Sequence, residues 1–501
     1  MRKRIMALAL CMAMLFSTAC SSSDNSSVTD TTDSSVSESI SDSTDSTGST
    51  DSAVSTVGTT AASQGETSSA PESSQPETTA TEATKPETSA TEATKPKTTV
   101  IEATKPKTTV TQTAKPQTTA STTKSTDESR TDVPEPTDVS MTAADVAQNM
   151  GLGINLGNTM EAYNATNCEK ITYKWIPKLG SNTPSDYETC WGAPVTTQKI
   201  IDGMKKAGFD TVRIPVFWGN MMENDGTYTI NPAYLKRVRE IVDYCRKADM
   251  YAVINIHHFD EFIIRRNSLA DCEKIFNHLW TQIADYFKDY PYTVIFEGYN
   301  EYLGGNQFDE KGNLTELSRS DGYALTNALN QTFVDAVRAT GGKNKDRVLI
   351  VSGYWTNIDL TTSNSFVVPT DTVKNRLMVS VHYVDNAMYW SNKIGGSEWL
   401  KYTESQCELL KKAFTDKGIP VFIGEVTSIY PKSNFASSAK SKTSTECLEI
   451  MFNKLLDYGF VPVLWDTNNN FYSRTKCEVK NATDKALIEK LAEKIRGSLG
   501  A

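Results

Sequence analysis

The chain has 501 residues, long enough for two or three domains, with 38% hydrophobic and 22% charged residues and a net charge of −10. The charge is uneven: Ser21–Ser140 holds 8 basic and 19 acidic residues, whereas everything after Ser140 nets only −2. A near-neutral remainder has no basic field for nucleic acid, so that partner class is excluded and neutral partners are expected.

Arg2, Lys3 and Arg4 precede an apolar run from Ile5 to Phe16. This is the layout of an export signal over residues 1–19, too short for a stable membrane span. Two cleavage readings stay open. Ser17-Thr18-Ala19 suits ordinary signal peptidase. Ala19-Cys20 resembles a bacterial lipoprotein site, in which Cys20 takes the lipid and ties the chain to the membrane, although Ser17 stands where Leu is usual. Either reading places the protein outside the cell, secreted or tethered to the bacterial surface.

Residues 20–140 read as a disordered linker. Ser21–Ser140 contains no Phe, Trp or Tyr and cannot bury enough apolar surface to offset its ordering entropy. Pro86, Pro96, Pro106 and Pro116 mark a ten-residue repeat whose Pro and charge stiffen an extended tether. Of nine cysteines, seven follow the linker, an odd number without a CxxC pair, so neither a complete disulfide framework nor a zinc ribbon is indicated. A Cys168–Cys190 bridge and seven unpaired thiols remain equal alternatives.

From Met141 the texture alternates. Apolar, β-rich runs at 153–156, 211–216, 251–256, 293–296, 347–351, 377–381, 420–423 and 460–464 predict eight strands. Between them, segments such as NPAYLKRVREIVDYCRKAD and DCEKIFNHLWTQIADYFKDY repeat apolar residues at helical spacing. Gly208, Gly341, Gly418 and Gly459 follow such runs as helix stops. Eight alternations over residues 141–501 predict an α/β fold, a (β/α)8 TIM barrel. A doubly wound sheet is disfavoured because no Gly-rich dinucleotide loop follows the first strand.

Polar residues crowd the predicted strand ends: Arg213, His257-His258, Asn300-Glu301, His382, Glu425 and Trp465-Asp466. In a barrel these ends meet at one face. A carboxylate closing an apolar strand needs a partner or a task, since burying it unpaired costs several kcal/mol. Glu301 and Glu425, on strands four and seven, would face each other across the mouth. Glycosidic cleavage uses such a pair, one carboxyl to protonate the leaving oxygen and one to attack the anomeric carbon. Arg213 is suited to hold Glu425 ionised, and Asn300 to donate to a sugar hydroxyl. Trp218, Trp355, Trp390 and Trp465 are candidates for stacking on pyranose faces. His257-His258 with Asp260 and Glu261 would be a metal cluster, but neighbours on a strand point to opposite faces, so no metal and no cofactor is expected.

The runs GINLGNTMEAY, ETCWGAPVTT, AGFDTVRIPVFW, INIHH, FEGYNE, SVHY, VFIGE and VLWD, in this order, resemble glycoside hydrolase family 5 in its bacterial endoglucanase branch, over about Met141 to Arg496. The resemblance implies Glu301 as acid/base beside Asn300, Glu425 as nucleophile, and Arg213, His257, His382 and Trp465 as support. His258 and Asn158 match positions that contact sugar in related enzymes. Two places depart from the pattern: Tyr302 stands where Pro is common, and Val384 where a Tyr usually bonds the nucleophile. Tyr383 precedes Val384, but strand alternation sends it the other way unless a bulge intervenes. The expected activity is retaining endo-cleavage of a β-1,4-linked plant glucan by a monomer. Xyloglucan, mannan or xylan is the alternative substrate, and a catalytically weak polysaccharide-binding protein the alternative class.

Overall fold

The computed structural model describes residues 141–164, 178–223, 226–258, 268–301, 306–308, 314–430 and 443–499. All belong to the unit Thr119–Ala501, one of two into which the chain divides. The proposed signal and linker, Cys20, Cys168, Trp175, Asp260, Glu261 and Tyr302 lie outside the described residues.

Eight parallel strands close into a barrel: β1 Gly153–Asn155, β2 Thr211–Ile214, β3 Tyr251–Asn255, β4 Val294–Glu297, β5 Leu349–Ser352, β6 Leu377–His382, β7 Val421–Val426 and β8 Val461–Leu464. Each pairs with its sequence neighbour, and β8 returns to β1. A helix follows each strand: α1 Gln198–Ala207, α2 Pro232–Lys247, α3 Leu269–Phe287, α4 Arg319–Ala339, α5 Ile358–Thr361, α6 Ser397–Ala413, α7 Ser444–Asp457 and α8 Ala482–Leu499. Only α5 is reduced to a single turn. The (β/α)8 expectation holds, and the strand limits agree with the apolar runs to within three residues.

Local chemistry explains the helix starts. Asn231 accepts from the Ala233 amide with Pro232 in the first turn of α2, Ser268 and Ser318 cap α3 and α4, and Thr443 with Glu446 forms a capping box on α7. The four predicted stop glycines all have positive φ.

Alternation along the strands creates two apolar regions. One packs the outer strand faces against the helix ring. The other fills the lower barrel with Val253, Ile295, Ile350, Met378, Phe422, Val461 and Val463. Helix Ala143–Asn149, just before β1, presses Ala143, Val146 and Met150 onto this second region and closes the barrel floor. The upper interior is polar, and there the candidate residues gather.

Candidate active site

Arg213 is the hub of this upper layer. It points inward from β2, fully buried. Its Nε donates to Glu297 Oε2 at 2.7 Å, Nη1 to Asn155 Oδ1 at 3.0 Å and Glu425 Oε1 at 3.1 Å, and Nη2 to Asn300 Oδ1 at 2.9 Å. Asn255 Nδ2 and Ser380 Oγ add bonds to the Glu297 carboxylate at 3.2 and 2.8 Å. One guanidinium thus orders residues from three other strands and the loop after β4, and satisfies two buried carboxylates. A guanidinium only donates, so it also fixes the Asn300 amide, leaving the NH2 as the donor toward the cleft.

Glu425 reaches the interior through an irregularity of β7. The pairing places Val381 opposite Ile423 but His382 opposite Glu425, and on the other side Pro462 opposite Ile423 but Leu464 opposite Val426. β7 therefore holds one extra residue, a bulge at Gly424, which turns Glu425 inward where strict alternation would turn it out. Gly424 has a steric reason: a Cβ there would lie 2.7 Å from His382 Nε2 and 3.2 Å from Ser380 Oγ.

Glu301 lies beyond its strand. β4 ends at Glu297, so Glu297, not Glu301, is the carboxylate that closes the apolar run. Glu301 Oε1 meets His382 Nδ1 at 2.9 Å, and the same nitrogen lies 3.7 Å from Glu425 Oε1. One ligand atom from each of Glu301, His382 and Glu425 lies within 4.8 Å of the others. That spacing could suit a cation, but the Arg213 charge at Glu425 opposes one.

Tyr383 resolves the apparent departure in the SVHY run. Its hydroxyl donates a short hydrogen bond to Glu425 Oε2. No bulge in β6 does this; Tyr383 adopts φ +44°, a left-handed residue directly after the strand, and the turn swings its ring back over the nucleophile candidate. Val384 is buried apolar filling.

The two carboxyls differ in their surroundings. Burial pushes Glu301 up to about 7, and Arg213 alone pulls it back. Burial also raises Glu425, but the Arg213 charge and the Tyr383 hydroxyl favour its ionised form. Glu301 is therefore the carboxyl that keeps its proton. Burial, not a neighbouring negative charge, is the cause. Burial lowers His382 to about 4 and His257 well below its usual range, so both rings are neutral at pH 7.

Around this centre, the His257 ring is parallel to Trp465 at 3° with centroids 6.3 Å apart. His258 has φ +55° and packs edge-on among Tyr163, Trp191 and Phe217. Both histidines follow the end of β3, so strand alternation does not separate them; their rings meet edge to face at 4.7 Å. Asn158 is left-handed at φ +58° at the mouth above β1. Among the tryptophans, Trp218 is a core residue whose Nε1 donates to the Asn255 carbonyl. Trp390 is 40% exposed. Trp355 is half-buried and left-handed at φ +56°, a costly posture for a bulky side chain. Cys190 carries a free thiol against the Tyr163 carbonyl.

Sequence reasoning missed Glu297, Asn155, Asn255 and Ser380. Each is a polar residue in an otherwise apolar strand, at the inward phase of the two-residue alternation. That signal was present in FEGYNE, GINLGN, INIHH and SVHY.

A family model described as cellulase (glycosyl hydrolase family 5) matches residues 176–471, more than half of the chain. Endoglucanase A of Clostridium longisporum is 35% identical over 370 residues, covering 71% of this chain and 65% of the relative. The chain thus spans just under two thirds of that protein's length. Endoglucanase A of Paenibacillus barcinonensis is 34% identical over 365 residues, covering 66% of this chain and 84% of the relative. Among solved structures, a family 5 enzyme of Prevotella bryantii in complex with a xyloglucan tetradecasaccharide is 31% identical. It has a TM-score of 0.59 and is matched over 70% of this chain and 99% of that one.

Proposed function

The chain belongs to glycoside hydrolase family 5, and from that membership we propose that it is a retaining endo-β-1,4-glucanase acting by double displacement. The observation that carries this is the unequal carboxyl pair: Glu301 and Glu425 with oxygens within 4.8 Å, the first raised to about 7 by burial and the second held by Arg213 and Tyr383. Retention needs carboxyls about 5–5.5 Å apart, closer than inversion, which must admit a water. Glu301 protonates the glycosidic oxygen while Glu425 attacks the anomeric carbon, breaking the C–O bond and forming a glycosyl ester. Glu301, now ionised, deprotonates water, which displaces Glu425 and restores both groups. The Asn300 NH2, oriented by Arg213, is available to the 2-hydroxyl, and Trp465 to a sugar face.

Proton NMR of the first product should show the β-anomer, and a 2-fluoro glycoside should label Glu425. Glu425→Ala should abolish turnover. Glu301→Ala should slow polysaccharides severely but spare the first step with aryl glycosides whose leaving group needs no proton. An α-anomer appearing first overturns the role assignment.

Xyloglucan is the second substrate reading, favoured by the Prevotella bryantii complex; comparing reducing-sugar release from xyloglucan and from unbranched glucan decides between them. We further propose that the chain is exported and held at the bacterial surface through Cys20, on the strength of its leading basic–apolar run. Cys20→Ser should then move the protein from membrane to medium or halt its processing, and unchanged fractionation rejects the lipid. No helix among the described residues is long and apolar enough to cross a membrane.

A further inference from the structure

Glu161, in the NLGNTMEAY run after β1, has no part in the chemistry above, yet it is buried to 1% exposure. Its Oε1 accepts the Asn158 amide and its Oε2 the Thr159 amide at 2.9 Å. These bonds hold Asn158 in its left-handed conformation, which a non-glycine residue adopts only when its surroundings impose it. The loop after β8 is built in the same manner around Asp466, also fully buried. There Oδ2 accepts the Asn468 amide at 3.0 Å and Oδ1 the Tyr472 amide at 3.1 Å.

The loops meet at Gly157. Its amide donates to the Asp466 carbonyl at 3.0 Å, and a Cβ there would lie 2.8 Å from that carbonyl and 3.1 Å from the Trp465 ring. Arg474, buried to 1%, donates to the same carbonyl at 3.0 Å and stands 3.6 Å from the Asp466 carboxylate. Its charge also favours the ionised form of Glu161. Arg474 thus braces the Asp466 loop from within, Glu161 braces its own loop through two amides, and the Gly157–Asp466 bond joins the two. Burial pushes Glu161 up to about 7. A carboxyl is thus a costly way to fill this space, and a neutral side chain of equal size would pack at less expense.

We propose that Glu161 and Arg474 are positioning residues for the sugar chain: Glu161 orders the loop after β1 and Arg474 the loop after β8, and the two loops, joined at Gly157 and Asp466, present Asn158 and Trp465 to the substrate as one rigid edge. The proposal rests on the glucan-cleaving reading. It concerns binding rather than bond cleavage, because neither residue has a hydrogen bond or ion pair to Glu301 or Glu425.

Two measurements test it. With a soluble cello-oligosaccharide, Glu161→Gln should raise KM about tenfold while kcat stays within about twofold, the signature of lost uniform binding. Arg474→Met should do the same, with Arg474→Lys recovering part of the loss. An unchanged KM, or a fall in kcat at constant KM, overturns the proposal. The second measurement needs neither substrate nor variant. In the wild-type protein the amides of Asn158, Thr159 and Tyr472 should exchange with deuterium as one group, and clearly different opening of the two loops overturns the fastening. Absence of any glucan cleavage by the wild type would reject the functional reading, while the exchange result would still decide whether the loops move as one.

Discussion

At the scale of single residues, Arg213 and Tyr383, which favour ionised Glu425, and the burial that favours protonated Glu301 set the expected pH dependence. Glu301 must be protonated to serve as acid, so kcat/KM should fall as pH rises through about 7. The acid limb belongs to protonation of Glu425, whose own rise brings that limb above the ordinary carboxylate range. A profile without an alkaline limb near neutrality would remove Glu301 from the acid's role. The same shift links to stability. The folded pKa of Glu301, about 7, exceeds its ordinary value of 4.5. Its favourable contribution is complete below 4.5 and is lost as pH rises through 7. Glu301→Gln, neutral at every pH, should therefore have a higher Tm than wild type above pH 7, with the gain shrinking toward pH 4.5. A gain independent of pH contradicts this account.

At the scale of elements, the β7 bulge couples backbone irregularity to chemistry. It aims Glu425 inward and leaves at Gly424 only the space of a hydrogen beside His382, whose Nδ1 holds Glu301. Gly424→Ala should push the imidazole off Glu301. The expected result is a loss of about 1–3 kcal/mol, typical of overpacking, together with a fall in kcat, read by thermal melts and kinetics. Wild-type turnover in this variant would show that the ring contact is dispensable.

For the molecule as a whole, the barrel floor sets how far the N-terminus can be trimmed. Helix Ala143–Asn149 and the Met150 that caps it cover the lower interior with Val146 and Met150. Deleting residues 21–137 should leave Tm and turnover on soluble glucan nearly unchanged, since a sequence without Phe, Trp or Tyr carries little apolar surface to bury. Extending the deletion through Met150 should cost about 3–6 kcal/mol, at roughly 1.5–3 kcal/mol for each large side chain uncovered. Equal stability of the two truncations would mean the helix is not a floor.

The sequence by itself determined the alternation of eight strands and helices, the order of the motif runs and the two carboxylates at strands four and seven. These are local signals, read from two-residue and 3.6-residue periodicities and from short runs such as FEGYNE and VFIGE. What tertiary structure decided depends on residues that only barrel closure brings together. Arg213 and Glu425 are 212 positions apart, and no local pattern states that one guanidinium serves both Glu425 and Glu297. At the end of β4, Glu297 closes the strand and Glu301 lies beyond it; which carboxylate meets Arg213 and which meets His382 is set by contacts across the barrel that apolar content does not carry. Tyr383 seemed misdirected because alternation holds only for extended backbone. A single left-handed residue reverses it, and the cost of that posture is recovered in a bond to Glu425 that exists only once β6 and β7 are side by side.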